Sequence, residues 1–251
     1  MGKSKDLATG ETRFVNTAGD TMTGNLTVSG GLVSATGTST ATNTEADIGL
    51  YHTFKNLSSD INTGVAISMG SNNSTSATIY GQRTGGNNEH KMGFQTRDSS
   101  GAGLTRMAID GSGRVTMPYQ PAFSVSSDSG GNSSGTTIIG SSSQNRSVET
   151  NIGSHFSSST GRFTAPVAGT YLFSGYANFS TSSGGPAIRF IKNGSTAISQ
   201  NNYGYSVAYN GTAVTCIATL AVNDYVYLEC NHYNGVTSTI YTSGVCGFLI
   251  G

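Results

Sequence analysis

Apolar residues alternate with polar ones in short runs along most of the chain. No long segment repeats them at the 3.6-residue spacing of a helix. Residues that favour turns separate the runs. Asn-Gly pairs at 193–194, 210–211 and 234–235 lie next to apolar runs and predict hairpins, because both turn residues must accept a positive φ. The pattern therefore predicts an all-β protein.

The strongest alternation occurs in the run YVYLEC that ends at Cys230. Val226, Leu228 and Cys230 fall on one side of a strand and predict a sandwich core. Tyr225 and Tyr227 fall on the other side. This side is too apolar for open water and too polar for a deep core, so it predicts a subunit interface.

The chain divides into three predicted parts. Residues 1–45 are polar and rich in Thr and Gly, which predicts a tail that docks on a partner or a thin intertwined shaft. Residues 46–117 alternate weakly and end in the hairpin signal RMAIDGSGRVTMP, which predicts an elongated β shaft. Pro118 and Pro121 mark a boundary before the head, residues 118–251.

Composition favours an oligomer that binds neither nucleic acid nor membrane. The chain has 35 Gly and no Trp, so one copy has little apolar surface to bury, and association would supply more. Thirteen basic residues balance thirteen acidic ones, which removes the long-range attraction to nucleic acid. No apolar stretch reaches the roughly 18 residues of a spanning helix, so we expect no membrane insertion.

Candidate chemistry is sparse, and we expect no enzyme, metal or cofactor. After Glu149 the chain has only two carboxylates, Asp224 and Glu229, in one short run, whereas a glycosidase needs two across a cleft. The three Cys lack metal-ligand spacing and predict buried thiols. A polysaccharide depolymerase remains an alternative, because four aspartates of the first half could pair across a trimer: Asp47, Asp60, Asp98 and Asp110.

The segment NIGSHFSSSTGRFTAPVAGTYLFSGY, starting at Asn151, resembles the signature of complement-q (C1q) globular heads, relatives of tumour necrosis factor. The matching positions are Asn151, Phe156, Phe163, Gly169, Tyr171 and Phe173. QPAFSV at 120–125, FIKNGS at 190–195, LAVNDYVYLE at 220–229 and GFLI at 247–250 resemble further strands of that family. Gly175 stands where an aromatic residue normally closes the motif, and Asn223 replaces the usual Gly.

The resemblance implies a ten-stranded antiparallel jelly-roll sandwich that forms a tight homotrimer and recognises ligands through exposed loops without catalysis. We expect seven aromatic residues to form the trimer interface or the core: Phe156, Phe163, Tyr171, Phe173, Tyr225, Tyr227 and Phe248.

Two short motifs in the first half resemble elements of bacteriophage tail fibres: GDTMTGNLTVSGG at 19–31 and RMAIDGSGRVTMP at 106–118. Together with the head they imply a fibre that attaches to other virion proteins through its N-terminal segment and to a host-surface glycan or protein through its head. A capsid fibre or decoration protein without a receptor role is the alternative. The first residues lack the apolar core of a secretion signal, so we expect synthesis in the host cytoplasm and a place in the virion.

The candidate receptor contacts are Asn201, Asn202, Tyr203 and Tyr205, because Tyr and Asn supply contact area and hydrogen bonds in adaptable loops. The alternative is that both tyrosines share one strand face at the trimer interface. The Ser/Gly-rich segment 126–142 is a second candidate, with a solvated connection as its alternative.

Overall fold

The computed structural model describes residues 61–71, 74–86, 89–133, 135–179, 186–202, 210–232 and 238–251. All of them belong to one compact unit, residues 55–251. These ranges form strands and turns and contain no helix, which confirms the all-β prediction. The predicted attachment segment, residues 1–45, lies outside them.

The first five strands form an antiparallel meander, here called the meander sheet. They are β1 (Gly64–Ser71), β2 (Ser74–Arg83), β3 (His90–Arg97), β4 (Gly103–Ile109) and β5 (Val115–Thr116), and each pairs with the next. These strands pair within one chain, while an intertwined shaft over residues 46–117 stays a prediction.

The predicted hairpin between β4 and β5 is confirmed. Ile109 lies opposite Val115, and the Asp110 carboxylate accepts the backbone N–H groups of Ser112 and Arg114 at 2.9 and 3.0 Å. Gly113 has φ 79°, a conformation that disfavours residues with a Cβ. The Asp-Gly-Ser-Gly sequence therefore has the residue types that this turn requires.

Eleven further strands form a sandwich. They are β6 (Ala122–Ser133), β7 (Thr136–Ile138), β8 (Arg146–Ile152), β9 (Phe156–Ser157), β10 (Arg162–Thr164), β11 (Gly169–Phe179), β12 (Pro186–Lys192), β13 (Thr196–Asn202), β14 (Asn210–Leu220), β15 (Tyr225–His232) and β16 (Ser238–Leu249). The front sheet has the order β14-β11-β16-β6-β8. The back sheet has the order β13-β12-β15-β10-β9, and β7 also pairs with β15. Two five-stranded rows with one short extra strand confirm the predicted ten-stranded jelly roll.

An aromatic cluster fills the space between the two sheets. Phe123 stacks on Phe156 and Phe163 with ring centroids 4.9 and 5.1 Å apart. Phe173 lies edge-on to Phe163 at 5.8 Å, and Tyr171 stacks on Phe173 at 6.2 Å. All five are at most 4% exposed. Four positions of the C1q-like motif thus hold the core of a single chain together.

Polar side chains of the motif fix the chain where it enters this core. The Asn151 side chain accepts the N–H of Phe156 at 3.0 Å and donates to the Phe156 carbonyl at 2.9 Å, which closes the turn between β8 and β9. The Tyr171 hydroxyl donates to the Val167 carbonyl at 2.8 Å, so the polar end of a buried ring has a partner. Burial also raises the pKa of Tyr171.

The Asn-Gly signals had different outcomes. Asn193 and Gly194 have φ 52° and 80° between β12 and β13, as predicted for a hairpin turn. The prediction for 210–211 was wrong, because both residues lie inside β14, opposite Phe179 and Asn178. A Cβ on Gly211 would overlap the Asn178 side chain, so this Gly serves strand packing. The pair at 234–235 lies outside the described residues.

Candidate interaction surfaces

One face of the meander sheet is apolar across all five strands. In the strand register Ile67 lies opposite Ile79, Ile79 opposite Phe94, and Phe94 opposite Met107. The same face continues with Val65, Met69, Met92, Ile109 and Val115. Ile67, Met69 and Val115 are each more than half exposed. A contiguous apolar face of this kind marks an association surface.

The opposite face of the meander sheet is polar. Ser68 hydrogen-bonds to Thr78 at 3.2 Å, and the Tyr80 hydroxyl hydrogen-bonds to Thr105 at 2.9 Å. The Lys91 ammonium lies 5.9 Å from the Tyr80 ring centroid. This difference between faces is typical of an antiparallel sheet with one solvated side and one packed side. The apolar side is therefore the one that needs a partner.

The front sheet also presents apolar side chains away from the sandwich core. Cross-strand neighbours form one row over all five strands, here called the front row: Ile217, Leu172, Phe248, Ala122 and Ile152. Ile217 is 65% exposed and Phe248 is 45% exposed. The predicted interface residue Phe248 thus lies on an open surface, whereas Phe156, Phe163, Tyr171 and Phe173 lie in the core of one chain.

Small side chains make a shallow groove beside the front row. Ser174, Cys246 and Ser124 are neighbours in the register, and the groove has a volume of about 210 Å³. Tyr176 forms one wall, because its ring leans over Gly244, where a Cβ would lie 2.6 Å from the ring. The front sheet therefore has protruding apolar side chains next to a recess. Two surfaces of this shape can interdigitate when they pack together.

The tyrosine side of β15 forms part of the outer face of the back sheet. The Arg162 guanidinium lies over the rings of Tyr225 and Tyr227, 4.4 and 5.6 Å from their centroids. Tyr227 is only 8% exposed. Tyr227 is thus covered by an arginine of the same chain, while Tyr225 is half-buried. A subunit interface at these two tyrosines stays a prediction.

Of the charged side chains around Tyr227, two form an ion pair and one has no charged partner among the described residues. Glu229, which is 5% exposed, forms an ion pair with Arg189. The Arg162 side chain makes no ion pair or hydrogen bond with any described residue, and its Nε is buried without a partner. Burial and the nearby Glu229 carboxylate raise the pKa of Tyr227, while Arg162 opposes them. The face therefore carries one uncompensated positive charge.

The predicted receptor contacts only partly come together. Asn201 and Asn202 are exposed at the end of β13, at the edge of the back sheet. The Asn201 side chain donates to the Ala213 carbonyl of β14 at 2.8 Å, so it turns toward the front sheet. Asn202 lies opposite Ala187, in the row next to Arg189. Tyr203 and Tyr205 lie outside the described residues.

The second candidate segment, residues 126–142, differs from the predicted solvated connection. It contains most of β6 and all of β7, and Ser127, Ile139 and Ser141 in it are buried. Polar composition was misleading here, because serine on an inward strand position packs as a small side chain.

The three cysteines lie at buried or half-buried positions. The three Cys form no disulfide with one another, and burial raises the pKa of Cys230 to about 12 and that of Cys216 to about 11. Among the described residues, no three His, Cys, Asp or Glu side chains lie close enough together to hold a metal ion. In the same residues, no helix is long and apolar enough to cross a membrane.

The two antiparallel sheets and their strand order define a jelly-roll protein. The C1q domain model matches residues 122–250, just over half of the chain. The chain therefore belongs to the C1q domain family. This match includes the core aromatics, the front row and the Arg162 face.

Solved structures of similar fold cover about half of the chain. The globular domain of zebrafish complement 1qA is 21% identical, with 52% of this chain and 98% of that chain covered and a TM-score of 0.42. Murine APRIL at pH 8.5 is 13% identical (51% and 99%, TM-score 0.37), and PRD1 vertex protein P5 is 13% identical (54% and 100%, TM-score 0.37). No curated protein sequence matches the chain significantly.

Proposed function

We propose that the chain is a homotrimeric structural fibre protein of a virus particle, and that its C1q-type head binds the host surface. The observation that supports this most is the presence of two open apolar sheet faces, one on the meander sheet and one on the front sheet. A chain with so little apolar surface gains stability when it buries both of these faces against copies of itself.

In the proposed trimer, the three heads contact one another through the front row. Its five side chains come from five different strands, so the row spans the whole sheet without a charged residue. Completing the burial of a side chain as exposed as Ile217 contributes on the order of 1 kcal/mol, and three copies repeat each contact three times. A closed ring of three buries the front row of every copy, whereas a lone chain leaves the row in water.

In the proposed trimer, the three shaft segments contact one another through the meander sheet. Its apolar face is continuous over five strands, and its other face is polar and hydrogen-bonded. Three such sheets with their apolar faces toward a common axis give a stiff, narrow rod with a solvated exterior. Residues 46–117 in this arrangement connect the head to an attachment segment at 1–45.

Placement on a virus particle is supported by the fibre-like motifs at 19–31 and 106–118 ahead of the head. Recognition is supported by the exposed side chains of Asn201 and Asn202 at the end of β13, the edge strand of the back sheet. Neither feature requires a cofactor or a catalytic group.

Immunogold electron microscopy on purified particles tests this proposal, with antibody against the full chain. The expected result is label on projecting fibres, together with loss of particle adsorption when purified full chain is added to host cells first. Particles that lack the chain would refute the virion role. Label confined to the capsid surface, with adsorption unchanged, would refute the recognition role and favour a decoration protein.

A further inference from the structure

The outer face of the back sheet has a fixed cluster of hydrogen-bonding groups. Strand register places Tyr227 between Ile191 of β12 and the position of Arg162 on β10, and it places Glu229 opposite Arg189. Gln200 lies opposite Arg189 on the next strand. The cluster thus crosses four neighbouring strands, which are rigid supports for a binding site.

Arg162 is held in place by the two tyrosine rings. Its guanidinium stacks on Tyr225 and Tyr227, and this stacking fixes the plane of the group. Its Nε is buried without a partner, while its two terminal nitrogens are not among the buried unpartnered atoms. Because the side chain of Arg162 is half-buried and makes no hydrogen bond to a described residue, these two terminal nitrogens form a planar fork without a described partner.

A planar fork of this kind matches a carboxylate, which accepts two parallel hydrogen bonds from a guanidinium. The cluster adds the exposed Gln200 amide and the half-buried Arg189 guanidinium, which can hydrogen-bond to ligand hydroxyl groups. Among the residues whose burial is described, none of the exposed large apolar side chains lies on a back-sheet strand, in contrast to the front sheet. A polyhydroxylated acidic ligand suits such a face better than an apolar protein surface.

From this geometry we propose that the outer face of the back sheet binds acidic glycans, and that the Arg162 guanidinium receives the carboxylate of a sugar acid. Tyr225 and Tyr227 position Arg162, Glu229 positions Arg189 through their ion pair, and Arg189 and Gln200 contact the neighbouring hydroxyls. Asn202, in the next row, extends the same face toward the predicted receptor contacts. This inference deepens the recognition role proposed above and assigns its ligand class.

The test measures binding of the purified full chain to immobilised polygalacturonate, with carboxyl-reduced polygalacturonate, dextran sulfate and dextran as the other surfaces. We expect binding to polygalacturonate and none to the carboxyl-reduced polymer or dextran. Arg162→Gln is expected to weaken this binding by about ten- to a hundredfold, the range for a hydrogen bond to a charged group. Arg162→Lys keeps the charge without the fork and is expected to restore only part of the affinity.

Arg106→Gln is the matched control, because Arg106 also stacks on a tyrosine, Tyr119, at 4.7 Å, but lies in the meander sheet. It should bind polygalacturonate like the unmodified chain. Unchanged melting temperature and sedimentation of Arg162→Gln show that its loss of binding is local. Equal affinity of Arg162→Gln and the unmodified chain would overturn the assignment, as would tighter binding to dextran sulfate than to polygalacturonate.

Adsorption separates this inference from the proposed function. A chain that blocks particle adsorption but does not bind polygalacturonate refutes the ligand assignment and leaves the recognition role standing. A chain that binds polygalacturonate through Arg162 but does not affect adsorption refutes the recognition role and leaves the site standing.

Discussion

Leu228 of the back sheet packs directly against Gly175 of the front sheet. A Cβ on Gly175 would overlap Leu228 Cδ2 and would lie 3.1 Å from the Gly244 carbonyl oxygen. Both residues are buried. Gly175 stands where C1q-like motifs usually carry an aromatic residue, and here a leucine from the opposite sheet lies against it.

Substitution of Gly175 should therefore overpack the core. We expect Gly175→Ala to lower the free energy of unfolding by about 1–3 kcal/mol, measured by urea denaturation. Leu228→Ala alone should lower it by about 2–5 kcal/mol, because it leaves a cavity. In the Leu228→Ala background, Gly175→Ala should have a smaller effect than in the unmodified chain, and an equal effect in both would show that the two residues are not coupled.

Asn223 departs from the family pattern at a turn that needs a left-handed backbone. Its φ is 68°, and its N–H donates to the Ala165 carbonyl at 2.9 Å. Asn adopts this conformation more readily than other residues with a Cβ. We expect Asn223→Ala to cost about 1 kcal/mol of stability and Asn223→Gly to change it little. Thermal denaturation of the pair checks this, and equal losses for both would contradict the role of backbone conformation.

Asp224 in the same turn accepts hydrogen bonds from Asn193 and from the Ala221 N–H, both at 2.8 Å, and pairs with Lys192 at 2.7 Å. These contacts, the one from Asn193 foremost, lower the pKa of Asp224 from 3.8 to about 2. Because the pKa is lower in the folded chain, the stabilisation is present above pH 3.8 and is lost as the pH falls through about 2.

The melting temperature should therefore show a pH-dependent effect of Asp224→Asn. We expect this variant to melt below the unmodified chain at neutral pH, with the difference shrinking between about pH 4 and pH 2. Asp128→Asn is the control, because Asp128 is exposed and its side chain makes no hydrogen bond to a described residue. A difference that stays constant down to pH 2 would contradict the ionic role of Asp224.

Local sequence pattern predicted much of the fold. Strict alternation placed Val226, Leu228 and Cys230 in the core, where each is at most 1% exposed. The Asn193-Gly194 and Asp110 turns followed from the backbone conformations that those residues favour. These features depend on residues that are neighbours in the chain, so they can be predicted from the sequence alone.

The surfaces could not be predicted, because they depend on strand register between distant segments. Arg162 covers Tyr227 only because β10 and β15 are neighbours in the back sheet, and nothing near either residue indicates this. The front row likewise takes one residue from each of five strands. Strand pairing also overruled the local turn signal at Asn210-Gly211.

Charges placed in the front row should separate the subunits. We expect Ile217→Lys combined with Phe248→Lys to shift the sedimentation from trimers toward single chains, because association through the head would bury two unpaired charges in each subunit. Val222→Lys is the matched control, because Val222 is 53% exposed in the turn before Asp224 and outside the row. A double variant that keeps the assembly state of the unmodified chain would show that the front row is not the contact.

Sedimentation equilibrium of the purified full chain at micromolar concentration tests the central claim most directly. Three copies that bury the front row and the apolar face of the meander sheet should give one species with three times the 25.8 kDa mass of a single chain. A folded species of 25.8 kDa, stable with both apolar faces in water, would contradict the account.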